Sequence, residues 1–425
     1  MIDAYLLTFN CARHLVNPET LAPALFDGLP KAAAVPEVLA LSLQEVAPIA
    51  YSFLGGSYLK PYFDRITTTV HLAADLHSHG SERLEHVATR SLGLTALMIF
   101  AKPGFMERIQ YIQAAGTGVG VWNMGNKGAV AMRIGVSKPG SDEMLNVSFV
   151  AAHLTPHEKE VAARNKNWED IVRNTVFATD NDSAYSYCDE APLWASGEAP
   201  SGRTGLFHPD SHLFVAGDLN YRTSNEGPGP GAHETFPQPA ASDALPEQFS
   251  HLLMTDQLNR ERKANRTLHG LEELPIKFPP TYKYSLRKDK SENLMKPEDR
   301  WQWASHRYPS WCDRILYLPC PTSPSKLDPQ IYTALPIQAT SDHRPVALYV
   351  RIDDNALPAD AGDIRSNPPF PINAEWKARN DAARRYEIVV GVMSYLVLTN
   401  KGKAMIVVLV GAVLATLYLT SWLRR

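Results

Sequence analysis

The chain has 425 residues, 44% hydrophobic and 20% charged, the proportions of an ordinary globular protein, which excludes a disordered chain, a collagen and a multi-span membrane protein. A net charge of −3 and a pI near 6.5 carry no mark of a nucleic-acid binder. Length alone suggests two or three domains. Cys11, Cys188, Cys312 and Cys320 are scattered without CxxC spacing, so neither a zinc site nor a disulfide framework is expected.

In chain order, Met1 to Arg13 (MIDAYLLTFNCAR) has no basic leader and no long apolar core, so no signal peptide is expected. Short apolar runs occur at Ala4–Phe9, Val38–Leu43, Leu94–Phe100, Ala129–Ile134, Asn146–Ala152, Leu213–Ala216, Arg314–Leu318 and Val346–Ile352. Their shortness and their Val, Ile and aromatic content predict strands. Helical spacing is clearest over Glu158–Phe177, where Val161, Trp168, Ile171 and Val172 share a face; Gln248–Arg262 is a second helical candidate. The elements alternate without the strict rhythm of a parallel sheet, which favours a layered α+β sandwich. Asp75–Val87, Thr179–Asp210 and Gly227–Pro246 read as loops, and no internal repeat is found.

The chain up to about residue 352 thus reads as one large domain with insertions. A Pro- and Ala-containing stretch and the charged segment Glu375–Glu387 read as a linker over 353–387. Residues 388–425 read as a membrane anchor. Within it Ile388–Thr399 is too short to span, and is expected at the interface or at the start of a tilted helix. Ala404 to Trp422 carries no charge over 19 residues, about 28 Å of helix, with Lys401, Lys403, Arg424 and Arg425 flanking it and Tyr418 and Trp422 near its end. A core helix of this length would show a polar face. A span placed there leaves the bulk of the chain in the cytosol, with reduced thiols and with Asn146 and Asn265 unglycosylated. A short span suits a thin bilayer, which points to the endoplasmic reticulum.

Polar clusters sit where the strands end: Thr8-Phe9-Asn10, Leu43-Gln44-Glu45, His153 after Ala151-Ala152, Asp218 and Asn220 after Phe214–Gly217, and Ser341-Asp342-His343 before the last strand. Carboxylates, amides and histidines collected in this way suit a hard divalent cation and an anionic substrate. Glu45 offers an oxygen ligand. Asp218 and Asn220, two apart on extended backbone, point the same way, so that one can activate a water while the other orients it. His153 and His343 could hold phosphoryl oxygens or stabilise developing charge. Gly116–Gly120 and Gly120–Lys127 hint at a phosphate loop, but no Gly-Lys-Ser/Thr comes at the required spacing.

Phe214–Arg222 (FVAGDLNYR) and Arg307–Leu316 (RYPSWCDRIL), with NMGNKGAVAMR at 123–133, PPTYKY at 279–284 and SDHRPV at 341–346, resemble in order the motifs of the inositol polyphosphate 5-phosphatases. The nearest resemblance is to fungal tail-anchored phosphatidylinositol 4,5-bisphosphate 5-phosphatases. The resemblance covers about residues 1–352. It implies a four-layer α/β/β/α sandwich of the DNase I-like endonuclease/exonuclease/phosphatase fold. It also implies Mg²⁺-dependent hydrolysis of the 5-phosphate of phosphatidylinositol 4,5-bisphosphate by a directly attacking water, on a monomer.

Carried over by motif, Glu45 is the metal ligand, helped by Asn10. Asp218 activates the water, Asn220 orients it, and His343, polarised by Asp342, binds the scissile phosphate. His153 stabilises its oxygens, and Asp313 and Arg314 support the network. Asn126 and Lys127 lie near the 1-phosphate; Tyr282, Lys283 and Arg307 read the 4-phosphate. Many relatives carry a Lys two residues before the position of Arg307, where this chain has Ser305. The insertion Ser285–Ala304, with Trp301 and Trp303, could touch lipid or form a solvent loop with packed tryptophans. A nuclease or sphingomyelinase on the same scaffold is the competing enzymatic reading, and a non-enzymatic membrane tether the other. The acidic charge and the two long signatures speak against the nuclease, and the full polar set against the tether.

Overall fold

The computed structural model describes all residues except 32, 142, 178–201, 203, 238–246, 287–300, 321–322, 358–359, 361 and 425. The strands are β1 (Ile2–Asn10), β2 (Val38–Gln44), β3 (Glu85–Leu92), β4 (Thr95–Ala101), β5 (Ile109–Gly118), β6 (Gly128–Ser137), β7 (Met144–His153), β8 (Ser211–Asp218), β9 (Tyr284–Leu286), β10 (Trp301–Trp303), β11 (Asp313–Tyr317), β12 (Leu327–Ala334) and β13 (Val346–Ile352). One sheet runs β12-β13-β1-β2-β4-β3 and the other β11-β8-β7-β6-β5; β9 and β10 form a separate hairpin. Only β1–β2 and β7–β8 pair in parallel among the described strands.

The alternation of side chains along β1 explains the layers. Ile2, Ala4 and Leu6 point into the core between the sheets, where they meet Val130, Phe149 and Phe214. Tyr5, Leu7 and Phe9 point the other way, onto the helix Lys60–Ser78 through Ile66, Val70 and Ala73. On the far side Ala131, Val150 and Val215 face the helix Val161–Asn174 through Trp168, Ile171 and Val172. A central strand buried on both faces reads as a continuous apolar run, which is why β1 and β2 stand out in the sequence. The result is the four-layer α/β/β/α sandwich, the DNase I-like arrangement.

All eight expected strands are present. Three strands of the large sheets that the sequence did not announce, β3, β5 and β12, are sheet edges. An edge is covered on fewer sides, so its apolar pattern is diluted; β12 even carries Pro329 at a register shift. Asp75–Val87 is not one loop: the helix runs to Ser78 and β3 starts at Glu85. Gln248–Arg262 divides into helices Ser250–Met254 and Gln257–Lys263, the second capped by Asp256 accepting from Asn259 N–H at 2.9 Å. The expected loop Thr179–Asp210 lies largely outside the described residues, as do 238–246 of the Gly227–Pro246 segment and 287–300 of the insertion. Of the insertion's tryptophans, Trp303 is buried, its Nε1 donating to Pro237 O at 2.7 Å, and Trp301 is half-buried at the pocket.

The segment expected as a spacer is instead packed on the domain. Arg365 is buried and donates to Ser211 O and Leu318 O. Trp376–Leu398 is one helix, which unites the charged segment with the apolar run after it. Its buried positions Trp376, Asn380, Ala383, Glu387 and Gly391 form a single stripe. Two of the five are polar, so no apolar periodicity gave it away. A second helix, Asn400–Leu423, is long and apolar enough to cross a bilayer and is unburied throughout its apolar window.

Candidate active site

The ends of β1, β2, β7 and β8, the start of β11 and the turn before β13 converge on one rim of the sandwich. They line a cavity of about 1250 Å³ that holds Asn10, Glu45, Lys127, His153, Asp218, Asn220, Tyr282, Lys283, Asp342 and His343. Register does the assembling: Asp218 on β8 is opposite both His153 on β7 and Asp313 on β11. Just beyond the strands, Glu45 and Asn220 take left-handed backbone, with φ of 46° and 57°. Such a conformation is tolerated by Asn and uncommon for Glu, and it clusters at functional sites.

Asp218 is the hub. Its Oδ2 accepts from Asn10 Nδ2 at 2.9 Å and faces His153 Nε2 at 3.4 Å and His343 Nε2 at 3.9 Å. Its Oδ1 accepts from Asn220 N–H at 3.1 Å. Burial works against its charge, but the His153 contact and the positive charges of His343 and Arg222 outweigh burial and hold its carboxyl well below the ordinary range. Burial likewise opposes charge on His343, yet Asp313 and Asp218 overcome it and push the imidazole up to about 9. Burial and the nearby Lys127 push His153 down instead, so His153 is neutral where His343 is cationic.

Two expected roles are corrected by this geometry. Asp342 is not the hydrogen-bond partner of His343: its carboxylate is bonded to Lys283 Nζ and stands 4.0 Å from His343 Nε2, where its charge adds the smaller part to the raising of the imidazole. The partner of His343 is Asp313, whose Oδ2 accepts from Nδ1 at 2.8 Å and from Thr281 Oγ1 at 2.7 Å. Arg314 is not in the network at all. On β11 it must face away from Asp313, and it bonds Glu273 and Asp256 in the protein interior. Tyr282 packs on the His343 ring with centroids 4.5 Å apart. Lys127 and Lys283 line the cavity, but Asn126 and Arg307 do not. Arg307 stands 3.6 Å from Glu158 and 3.2 Å from His157 Nδ1.

Sequence reasoning passed over Arg222, Arg13 and Tyr62, all of which line the cavity. Arg222 is buried over the Tyr282 ring at 4.4 Å, and its Nη1 has no bonding partner among the described residues. No strand face explains its place, because β8 ends at Asp218 and Asn220 turns the chain; Arg222 is held instead by its bonds to Asn220 O and Oδ1. Arg13 bonds Glu45 at 3.0 Å, a tertiary contact that no spacing foretells.

The donor set fits a hard divalent cation. Asp218, Asp313 and His343 lie close enough to hold an ion, but the His343–Asp313 hydrogen bond already occupies the imidazole nitrogen that faces Asp313. Glu45, a quarter exposed and paired with the half-exposed Arg13, is the carboxylate with oxygen free to face the cavity. The Asn10 amide is turned with its NH₂ on Asp218, and its Oδ1 accepts from Ala12 N–H.

Residues 7–349 match the endonuclease/exonuclease/phosphatase family 2. The chain belongs to that family. Within it the chain is similar to phosphatidylinositol 3,4,5-trisphosphate 5-phosphatase 1 of Xenopus laevis, 28% identical over 294 residues, 66% of this chain and 25% of the relative. It is similar as well to type I inositol polyphosphate 5-phosphatase 2 of Arabidopsis thaliana, 29% identical over 271 residues, 63% of this chain and 35% of the relative. It therefore spans about a third or less of the length of these relatives. In structure it is similar to the inositol polyphosphate 5-phosphatase domain of SPsynaptojanin, solved with inositol (1,4)-bisphosphate and calcium. There the TM-score is 0.58 and the identity 22%, over 83% of this chain and 86% of that one. The resemblance read from the motifs is found again in these relatives.

Proposed function

We propose that the protein is a phosphoinositide 5-phosphatase that removes the 5-phosphate of phosphatidylinositol 4,5-bisphosphate, giving phosphatidylinositol 4-phosphate. The observation that carries this is the charge layout of the cavity: an ionised Asp218 and a cationic His343 at its base, with Lys127 and Lys283 on its walls. The named activities of the relatives support the 5-phosphatase class.

Bound at Glu45, Mg²⁺ would supply charge neutralisation at the phosphoryl oxygens. The chain's own residues do the rest. Asp218 accepts the proton of the attacking water, with Asn220 N–H and Asn10 Nδ2 fixing its carboxylate. His343, charged and braced by Asp313, faces the oxygens on which negative charge grows, and hydrolysis of this kind needs positioning and charge stabilisation above all. His153 steadies Asp218 from the opposite side. Lys127 and Lys283 receive the other ring phosphates, as cations do. The helix Asn400–Leu423 holds the enzyme at a membrane, with the catalytic domain in the cytosol; the charge-free stretch Ala404–Trp422 within it is short for a span and suits the endoplasmic reticulum.

The test is a substrate panel of the 4,5-bisphosphate lipid, the 3,4,5-trisphosphate lipid and soluble inositol 1,4,5-trisphosphate, each with Mg²⁺ and with excess EDTA. Phosphate release from the bisphosphate lipid that vanishes in EDTA is expected. Release that ignores EDTA would overturn the mechanism, and preference for the soluble substrate would overturn the lipid assignment. Asp218→Asn keeps the shape and removes the base, so turnover should fall by about 10²-fold or more.

A further inference from the structure

The stripe of helix Trp376–Leu398 that meets the domain is spent on the end of β5 and the turn that leads from it to Lys127. Asn380 donates to Gly116 O at 3.1 Å and accepts from Thr117 Oγ1 at 3.0 Å. Arg379 donates to Thr117 Oγ1 at 2.8 Å and to Asn123 Oδ1 at 2.7 Å. Glu387, buried, accepts from Gly125 N–H at 2.7 Å. Lys127 comes two residues later and lines the cavity. The far end of the helix reaches another wall of the same cavity: Tyr395 packs on Tyr58 at 5.5 Å and on Tyr51 at 6.4 Å, and Tyr62 lines the cavity one turn after Tyr58.

The outer face changes character along its length. It carries Lys377 and Arg385 in the first half. From Tyr386 onward it is bare: Ile388, Val389, Val392, Met393, Val397 and Leu398 are exposed, and no charge occurs from Ile388 to Thr399. Trp122, 64% exposed, stands against Tyr386 with ring centroids 5.3 Å apart. A helix packed by one stripe in water keeps a polar outer face, and an apolar patch of this extent marks a contact surface. Chain continuity names the occupant. After Thr399 the chain enters Asn400–Leu423, whose charge-free stretch starts at Ala404 behind Lys401 and Lys403, cations of the kind that sit at headgroups, so the bare half ends five residues before the apolar span.

We propose that helix Trp376–Leu398 is a strut between membrane and active site. Its bare half, Tyr386–Leu398 with Trp122, lies in the bilayer surface, while Arg379, Asn380 and Glu387 hold the end of β5 and the turn after it, residues 116–125, and so present Lys127 to lipid headgroups. This rests on the reading of Asn400–Leu423 as a span and of the cavity as a phosphoinositide site.

The test uses the full chain in phosphatidylcholine vesicles. Val389→Cys in a Cys188→Ser background carries an NBD fluorophore, the other three cysteines being buried. Nitroxide-labelled lipid should quench it strongly. An unquenched probe, or a disulfide-linked pair of copies in its place, overturns the strut, whichever substrate the enzyme prefers. The pair Val389→Ser and Met393→Ser should slow hydrolysis of the vesicle-borne bisphosphate lipid about tenfold and leave soluble inositol 1,4,5-trisphosphate within twofold; equal loss on both, or no loss, overturns it. Glu387→Ala should raise KM for both substrates severalfold with kcat kept, and Glu387→Gln, which can still accept from Gly125, should restore it. A wild-type chain inactive on every inositol phosphate would fail the functional reading and leave the quenching result standing.

Discussion

Two neighbouring carboxylates near His343 have different jobs, and substitution separates them. Asp313 is buried and holds His343 in its charged form, so Asp313→Asn should lower kcat by about 10²-fold while KM moves little. Asp342 is bonded to Lys283 and ties down a wall of the substrate cavity, so Asp342→Asn should act on KM with kcat within a few-fold. Steady-state kinetics on both variants decides. A collapse of kcat in Asp342→Asn would make Asp342 the principal partner of His343, the role that the motif resemblance implied. Asp313 takes the hydrogen bond to His343 because β11 brings it across from another part of the chain, while the Asp342 carboxylate turns to Lys283. Asp218, Asn220, His153, Glu45 and Asn10 were legible because each ends a strand at the same rim. Arg314 was misplaced because it shares a motif with Asp313 and faces the other way.

The strands that the sequence announced are buried along nearly their whole length, the strands of the two large sheets that it hid are edges, and the helix after them is polar-striped. The docked helix is the clearest case. Its contact depends on Gly391, where a Cβ would stand 3.0 Å from Phe53 Cβ and 3.3 Å from Leu54 N. Gly391→Leu should therefore overpack the contact by about 1–3 kcal/mol and expose 376–398 to limited proteolysis; unchanged protease resistance would show that the helix is held elsewhere. Glu387 supplies a pH handle. Burial raises its carboxyl above the ordinary value, against the opposing Gly125 N–H and Arg384. With the folded value raised, the contribution of Glu387 is fully present below the unfolded pKa of about 4.3 and is lost as pH rises through the folded one. The melting temperature of Glu387→Gln minus that of the wild type should thus grow as pH rises from about 4 to 7. A flat difference would mean that the carboxylate is better solvated than its burial implies.

For the whole molecule, one catalytic sandwich replaces the two or three domains that length suggested, and the segment after it is a docked helix rather than a free spacer. Deleting 404–425 should convert a carbonate-resistant membrane protein into one that carbonate extracts, measured by fractionation; resistance that persisted would place the anchor elsewhere. By itself the sequence determined the class of the fold, the apolar tail and most of the catalytic rim, because burial and strand ends leave local patterns in residue type. Only the tertiary structure decided which carboxylate serves which base. It alone turned Arg314 inward and Arg222 toward the cavity, and bound the helix Trp376–Leu398 to the segment that leads to Lys127. Those outcomes depend on register between strands far apart in the chain and on polar contacts with no period, and neither leaves a mark on a single sequence.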